Sequence, residues 1–183
     1  MDTYETNQSL DWPKFKELVH YICEKAEDPS CLGSIKLNKV LWYSDVVSFL
    51  TTGRPITGET YVKRQHGPVP RDVVRAIDAL VKEGKIERGK VDHFGRLKHE
   101  YIAIFAADKN RFTSEEMSII DGAFEHVCLN HTATSISEET HNKIWEMAEM
   151  GEPIPYEAVF ASVIGEIDET DLAWAKEELA KVA

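Results

Sequence analysis

The chain has 183 residues and a mass of 20.8 kDa, with 43% hydrophobic and 29% charged side chains, a mean hydropathy of -0.34 and a net charge of -11. That length fits one domain over residues 1–183, and the apolar content excludes a disordered chain. No apolar run approaches the roughly 20 residues that span a bilayer. Residues 1–11 are polar with no signal-peptide core, and three cysteines (Cys23, Cys31, Cys128) are an odd, sparse set for a disulfide framework. A reduced, cytoplasmic protein away from membranes is the expectation.

The first helix is expected from Asp11 as N-cap, with Pro13 in the first turn and Phe15, Leu18, Val19 and Ile22 at helical spacing until Asp28-Pro29. A second helix spans about Ser34 to Thr52 and stops at Gly53. It is apolar nearly all round, as befits the centre of a fold, so its polar members are informative. Asn38, Trp42, Asp45 and Phe49 share one face, while Lys36, Lys39 and Tyr43 share another. A carboxylate buried among such neighbours needs a donor, for which Arg54, Lys63 and Arg64 are candidates.

Gly53 to Gly58 reads as a turn-rich loop and Tyr61 to Gln65 as a short strand, after which Gly67-Pro68-Val69-Pro70 is a stiff, extended entry to the next element. That element is an amphipathic helix with Val73, Val74, Ile77, Leu80 and Val81 inward and Arg71, Arg75, Asp78 and Lys82 outward, closed by Gly84. A hairpin follows, Ile86 to Val91 and Leu97 to Phe105 about the turn Asp92–Gly95. Thr113 with Glu116, and Ser135 with Glu138, are capping boxes for two more helices, the second carrying Ile144, Trp145 and Ala148 to a stop at Gly151 and Pro153. Shorter helices are expected near 156–164 and 170–182. The fold class expected is mainly α (α+β): a compact helical domain with a winged-helix-like helix and a small β-hairpin or three-stranded sheet.

Charge is uneven along this layout. Residues 111–183 hold 16 acids and 4 bases, whereas residues 54–98 hold 11 bases and 6 acids. A helix followed at once by a hairpin has the order of a winged helix, and Arg71, Arg75, Lys82, Lys85 and Arg88 are candidate contacts to nucleic acid or to an acidic partner. Asp78 interrupts that stripe, Glu83 and Glu87 flank it and the whole chain is acidic, which argues against nucleic acid.

Catalytic chemistry finds little support. The chain has no phosphate-cradling glycine loop, nucleophile elbow or zincin motif, so no catalytic residue and no cofactor is expected. Cys128-x-x-His131 resembles half a zinc site without a second half, and His126 and Cys128 point apart on a helix, so no metal site is expected either. Asp45 as a general base stays a minor alternative to Asp45 as a structural group.

Lys36-Leu37-Asn38-Lys39-Val40-Leu41-Trp42-Tyr43-Ser44-Asp45, then Gly53-Arg54-Pro55-Ile56-Thr57-Gly58, Tyr61 and Gly67-Pro68-Val69-Pro70, with Ser137, His141 and Trp145 downstream, resemble the signature of the SocA-like Panacea domain. The likeness covers roughly residues 12–160, departs at Trp42 and leaves the acidic segment 166–183, expected as a helix, unaligned. It implies an antitoxin, typical of bacterial and phage two-gene pairs, that binds a cognate protein toxin encoded nearby and carries no catalysis. The motif positions are then either architecture or toxin contacts. A DNA-binding winged-helix regulator and an adaptor that delivers a target to a protease are the rivals, and a homodimer is compatible with each.

Overall fold

The computed structural model describes residues 9–159 except 94 and 142, so the expected helices at 170–182 and 166–183 lie outside the described residues. Asp11 caps α1 (Trp12–Lys25) by accepting the Lys14 N–H at 3.1 Å, and Pro13 sits in the first turn where its missing donor costs nothing. The helix buries Phe15, Leu18, Val19 and Ile22 as their spacing requires. Central to the fold is α2 (Ser34–Thr52), which ends at Gly53 with φ +76, a conformation that favours glycine. It packs against α1, against α4 (Ser114–Phe124) and α5 (Ala133–Glu139), and against strand β2 (Gly67–Pro70). That surround explains why Leu37, Val40, Leu41, Trp42 and Val46 on different faces are all buried.

Two small antiparallel sheets flank the helices. In the first, β1 (Tyr61–Arg64) lies between β2 and β5 (Pro153–Ile154), with Tyr61 opposite both Pro70 and Ile154. The segment Gly67–Pro70, expected as a stiff, extended entry to the next helix, is therefore an edge strand. Its prolines are tolerated because an edge needs ladder donors on one side only. The second sheet is the hairpin of β3 (Ile86–His93) and β4 (Arg96–Ala103), directly after α3 (Val73–Lys82). Hairpin and three-stranded sheet thus both exist, as separate units.

Several local expectations are corrected. On α3 the inward residues are Val73, Ala76, Ile77 and Leu80, while Val74 and Val81 are exposed, because the helix turns its 73/76/77/80 stripe to α1. The second capping box is Thr132 with Ser135, one turn earlier than expected. The helix it starts stops at Thr140, and α6 (Lys143–Met147) begins separately. Between α4 and α5 the chain makes a π-helical turn, Glu125–Leu129. Of the helix expected near 156–164, residues 156–159 form a 3-10 turn whose Tyr156 stacks on Trp42 and Phe49, and residues 160–164 lie outside the described residues.

Candidate functional site

The signature residues gather around two buried charges on α2. Asp45, fully buried, accepts the Thr57 N–H at 2.7 Å, the Thr57 hydroxyl at 2.7 Å and the Tyr61 hydroxyl at 2.8 Å. The backbone conformation of the Gly53–Gly58 loop delivers the first two donors, helped by Gly58 at φ +69, and β1 delivers the third. The expected cation is absent from this network: the donors are hydroxyl and amide groups, not Arg54, Lys63 or Arg64. Arg54 is exposed, and Lys63 instead donates to the carbonyls of Glu146 and Ala148 at 3.0 Å each. Burial pushes the Asp45 carboxyl up to about 6 even against these hydrogen bonds. A second buried acid, Glu59, is raised to about 7, first by burial and also by the charges of Asp72 and Asp45. Its Oε1 accepts the Thr60 N–H at 2.6 Å, while no hydrogen bond reaches Oε2. Trp42 closes the network, edge-on to Tyr61 with ring centroids 4.9 Å apart.

One face away, Lys39 is 1% exposed and its Nζ has no hydrogen-bond partner. Burial alone pulls its ammonium group down to about 7. The nitrogen packs on the backbone of Gly67, whose φ is +100, and a Cβ at that position would overlap Lys39 Nζ and Thr140 Oγ1. Glycine is needed there twice, for its conformation and for the close approach. His141 follows Thr140 directly and stacks on Trp145, with ring centroids 3.7 Å apart and planes 6° apart. Burial lowers the His141 imidazole below its usual range, and the charges of Lys39 and His66 add to that. Lys63 lies 4.3 Å over the Trp145 ring. Lys39, Gly67, His141 and Trp145, far apart in sequence, thus belong to one assembly joining α2, β2 and α6.

The remaining motif positions are framework. Leu37, Pro55 and Pro68 are buried, Val69 packs at the rim of the core and Gly53 ends α2. Lys36 donates to the Cys128 carbonyl at 3.0 Å, and the Tyr43 hydroxyl donates to Glu139 at 2.5 Å. The basic stripe is largely neutralised. Arg88 pairs with Asp78 at 3.0 Å, Lys85 lies 3.4 Å from Glu17, and Arg75 lies over Trp12 at 4.0 Å beside Asp72. Arg71 and Lys82 are exposed.

Thr57, Glu59, Thr140 and Glu139 were not singled out from the sequence. Thr57 sits inside the loop motif, directly before Gly58, and that place was its only signal; the others depend on tertiary pairing.

Comparison with curated proteins and with solved structures returned no match. A family model does match: the one described as antitoxin SocA-like, Panacea domain, aligns with residues 37–146, from the middle of the first α2 turns to α6. These limits enclose both buried charges, the Gly53–Gly58 loop, β1, β2 and the His141–Trp145 pair, while α1, β5 and Tyr156 pack on from outside them. The chain belongs to the SocA-like Panacea domain family of antitoxins.

Proposed function

We propose that the chain neutralises a cognate protein toxin by direct protein–protein binding and performs no chemistry itself. Family membership over residues 37–146 is the observation that carries this reading. The placement of the motif residues supports it. Trp42, Asp45, Tyr61 and Gly67 are buried and hold the frame together, which leaves partner recognition to the exposed surface. Covering a toxin's cleft requires about 1,200–2,000 Å² of total buried surface, within reach of one face of a domain this size.

The test is co-expression with the neighbouring gene. That gene alone should arrest growth, the pair should grow, and the two products should co-purify. A harmless neighbour, or rescue without a complex, overturns the proposal. Rescue that vanishes in protease-deficient cells makes the chain an adaptor.

The order of α3 and its hairpin favours a second reading, a DNA-binding wing. The ion pairs of Arg75, Lys85 and Arg88 leave few free charges for phosphates, so little specific duplex binding at physiological salt is expected. An operator-specific shift lost on Arg71→Ala with Arg75→Ala would promote it.

A further inference from the structure

Outside both buried clusters, three side chains from separate segments aim at one point near the surface. His126 comes from the π-helical turn Glu125–Leu129, His131 from the connection after it and Glu139 from the last turn of α5. His126 Nε2 lies 2.8 Å from Glu139 Oε1, His131 Nε2 lies 3.2 Å from Glu139 Oε2, and the three ligating atoms all fall within 4.8 Å of one another. We infer that His126, His131 and Glu139 form a binding site for a divalent transition-metal ion of the zinc type.

The hydrogen bonds around the cluster hold its side chains in place. The Ser135 hydroxyl lies 3.1 Å from His131 Nδ1 and accepts the Thr132 N–H at 3.1 Å, which anchors it beside the ring. A neutral His131 that keeps its ring proton on Nδ1 would offer its Nε2 lone pair to an ion. The surroundings have the arrangement of an outer shell that orients metal ligands. Ser135 fixes the His131 ring, and Tyr43 donates to Glu139 Oε1 and meets the edge of His126 with centroids 5.1 Å apart.

Geometry and ligand type select the ion. Tetrahedral zinc with bonds of about 2.0–2.1 Å keeps its ligating atoms about 3.3 Å apart, so small side-chain rotations close the site. Two imidazoles and one carboxylate suit zinc or its neighbours, whereas calcium and magnesium take oxygen ligands. Three protein ligands leave a fourth position for water or for a side chain of a bound partner. The π-turn is what brings His126 round to this face, and such turns recur at functional sites. The bound ion would tie the α4–α5 connection to α5 beside Tyr43 of α2.

The experiment is a titration of the purified full chain with ZnCl2 and, in parallel, with CoCl2. One equivalent of zinc should bind with micromolar or tighter affinity, and the cobalt form should show the visible bands of a four-coordinate nitrogen–oxygen site. Glu139→Gln and His131→Gln should each weaken zinc by well over about a hundredfold, beyond the range for loss of an outer-shell partner. Far-UV circular dichroism and melting without metal establish that both variants are folded. If one of them does not fold, the other carries the test, with Tyr43→Phe as a milder perturbation. Absence of saturable zinc binding, or stoichiometric binding unchanged in the variants, overturns the assignment. A sulfur-to-cobalt charge-transfer band abolished by Cys128→Ser also overturns it, by placing the ion on Cys31 and Cys128 instead.

Discussion

Asp45 and Lys39 sit on the same helix, both buried, and are treated in opposite ways. Asp45 is met by three donors between 2.7 and 2.8 Å, supplied by a loop and a strand shaped to reach it. Lys39 is met by a glycine backbone, a threonine already donating to its own helix, and no hydrogen-bond partner. One site satisfies its charge, and the other tolerates a group that stability alone would remove. A satisfied buried carboxylate specifies how the Gly53–Gly58 loop and β1 attach to α2, and it needs no further purpose. An unsatisfied lysine persists only where the surrounding structure over-determines it, which singles out the Lys39 assembly as the part of the signature not explained by packing.

The comparison breaks most sharply at Asp45. Asp45→Ala would leave the Thr57 N–H and two hydroxyls without an acceptor in a closed interior. Its expected cost is about 3–5 kcal/mol, the range for stranding one side of a buried polar pair. At about 2–4 °C per kcal/mol for a chain of this size, the melting temperature should fall by roughly 6–20 °C. Asp45→Asn keeps an acceptor for the Thr57 N–H and should lose much less. Neutralisation should track stability across both variants. An Asp45→Asn protein that melts like wild type but no longer neutralises would show that Asp45 acts on the partner or on chemistry.

Gly67 tests the other site. Gly67→Ala forces a side chain into a positive-φ conformation and against Lys39 Nζ and Thr140 Oγ1. Backbone strain of about 1–2 kcal/mol and overpacking of about 1–3 kcal/mol give an expected loss of about 2–5 kcal/mol. Combining it with Lys39→Ala should recover the steric part. A strictly additive double variant would mean that the lysine can swing away and that the close approach carries no energy.

What the sequence made legible follows from how local each signal is. Asp11, Pro13 and Gly53 mark helix ends by their own backbone chemistry, and Thr113 with Glu116 is a complete cap within four residues. Gly67–Pro70 was obscured because proline suppresses the strand signal, and only pairing with β1 makes it an edge. Val74 and Val81 were misplaced because on α3 they form an alternative stripe beside 73/77/80, and the packing of α1 decides between the two. At the candidate site each of Lys39, Gly67, His141 and Trp145 was readable as a motif position. Their meeting was not, since it needs β2 on α2 and a chain break at Thr140. The donors to Asp45 were expected to be cationic because a buried carboxylate usually recruits one, but a tight loop offering an N–H and a hydroxyl together does the same work.

Lys39→Met sharpens the contrast by removing the charge while keeping the length. Replacing a buried, unpaired ammonium group with an apolar chain of similar volume should stabilise the fold by about 1–4 kcal/mol at pH 7. The dependence on pH identifies the cause. In the folded chain the Lys39 group titrates near 7, and in the unfolded chain near 10.5. Between those values the unfolded state binds one more proton, so wild-type stability rises with pH, by at most about 1.4 kcal/mol per unit. Glu59 has the opposite sign: its folded value is raised from 4.5 to about 7, so what it contributes is present below pH 4.5 and lost as pH rises through 7. His141, lowered by burial, loses its contribution as pH falls and so also acts below this window. Cys23 and Cys128, raised from 9 to about 12, act only above pH 9. Melting curves of the two proteins between pH 7 and 9 therefore isolate Lys39: the advantage of the methionine variant should be widest at pH 7 and narrow steadily towards pH 9. A constant gap would mean that the wild-type ammonium stays charged through this range and has a partner. A Lys39→Met protein that is more stable yet fails to neutralise would move the lysine from the frame of the domain to its function.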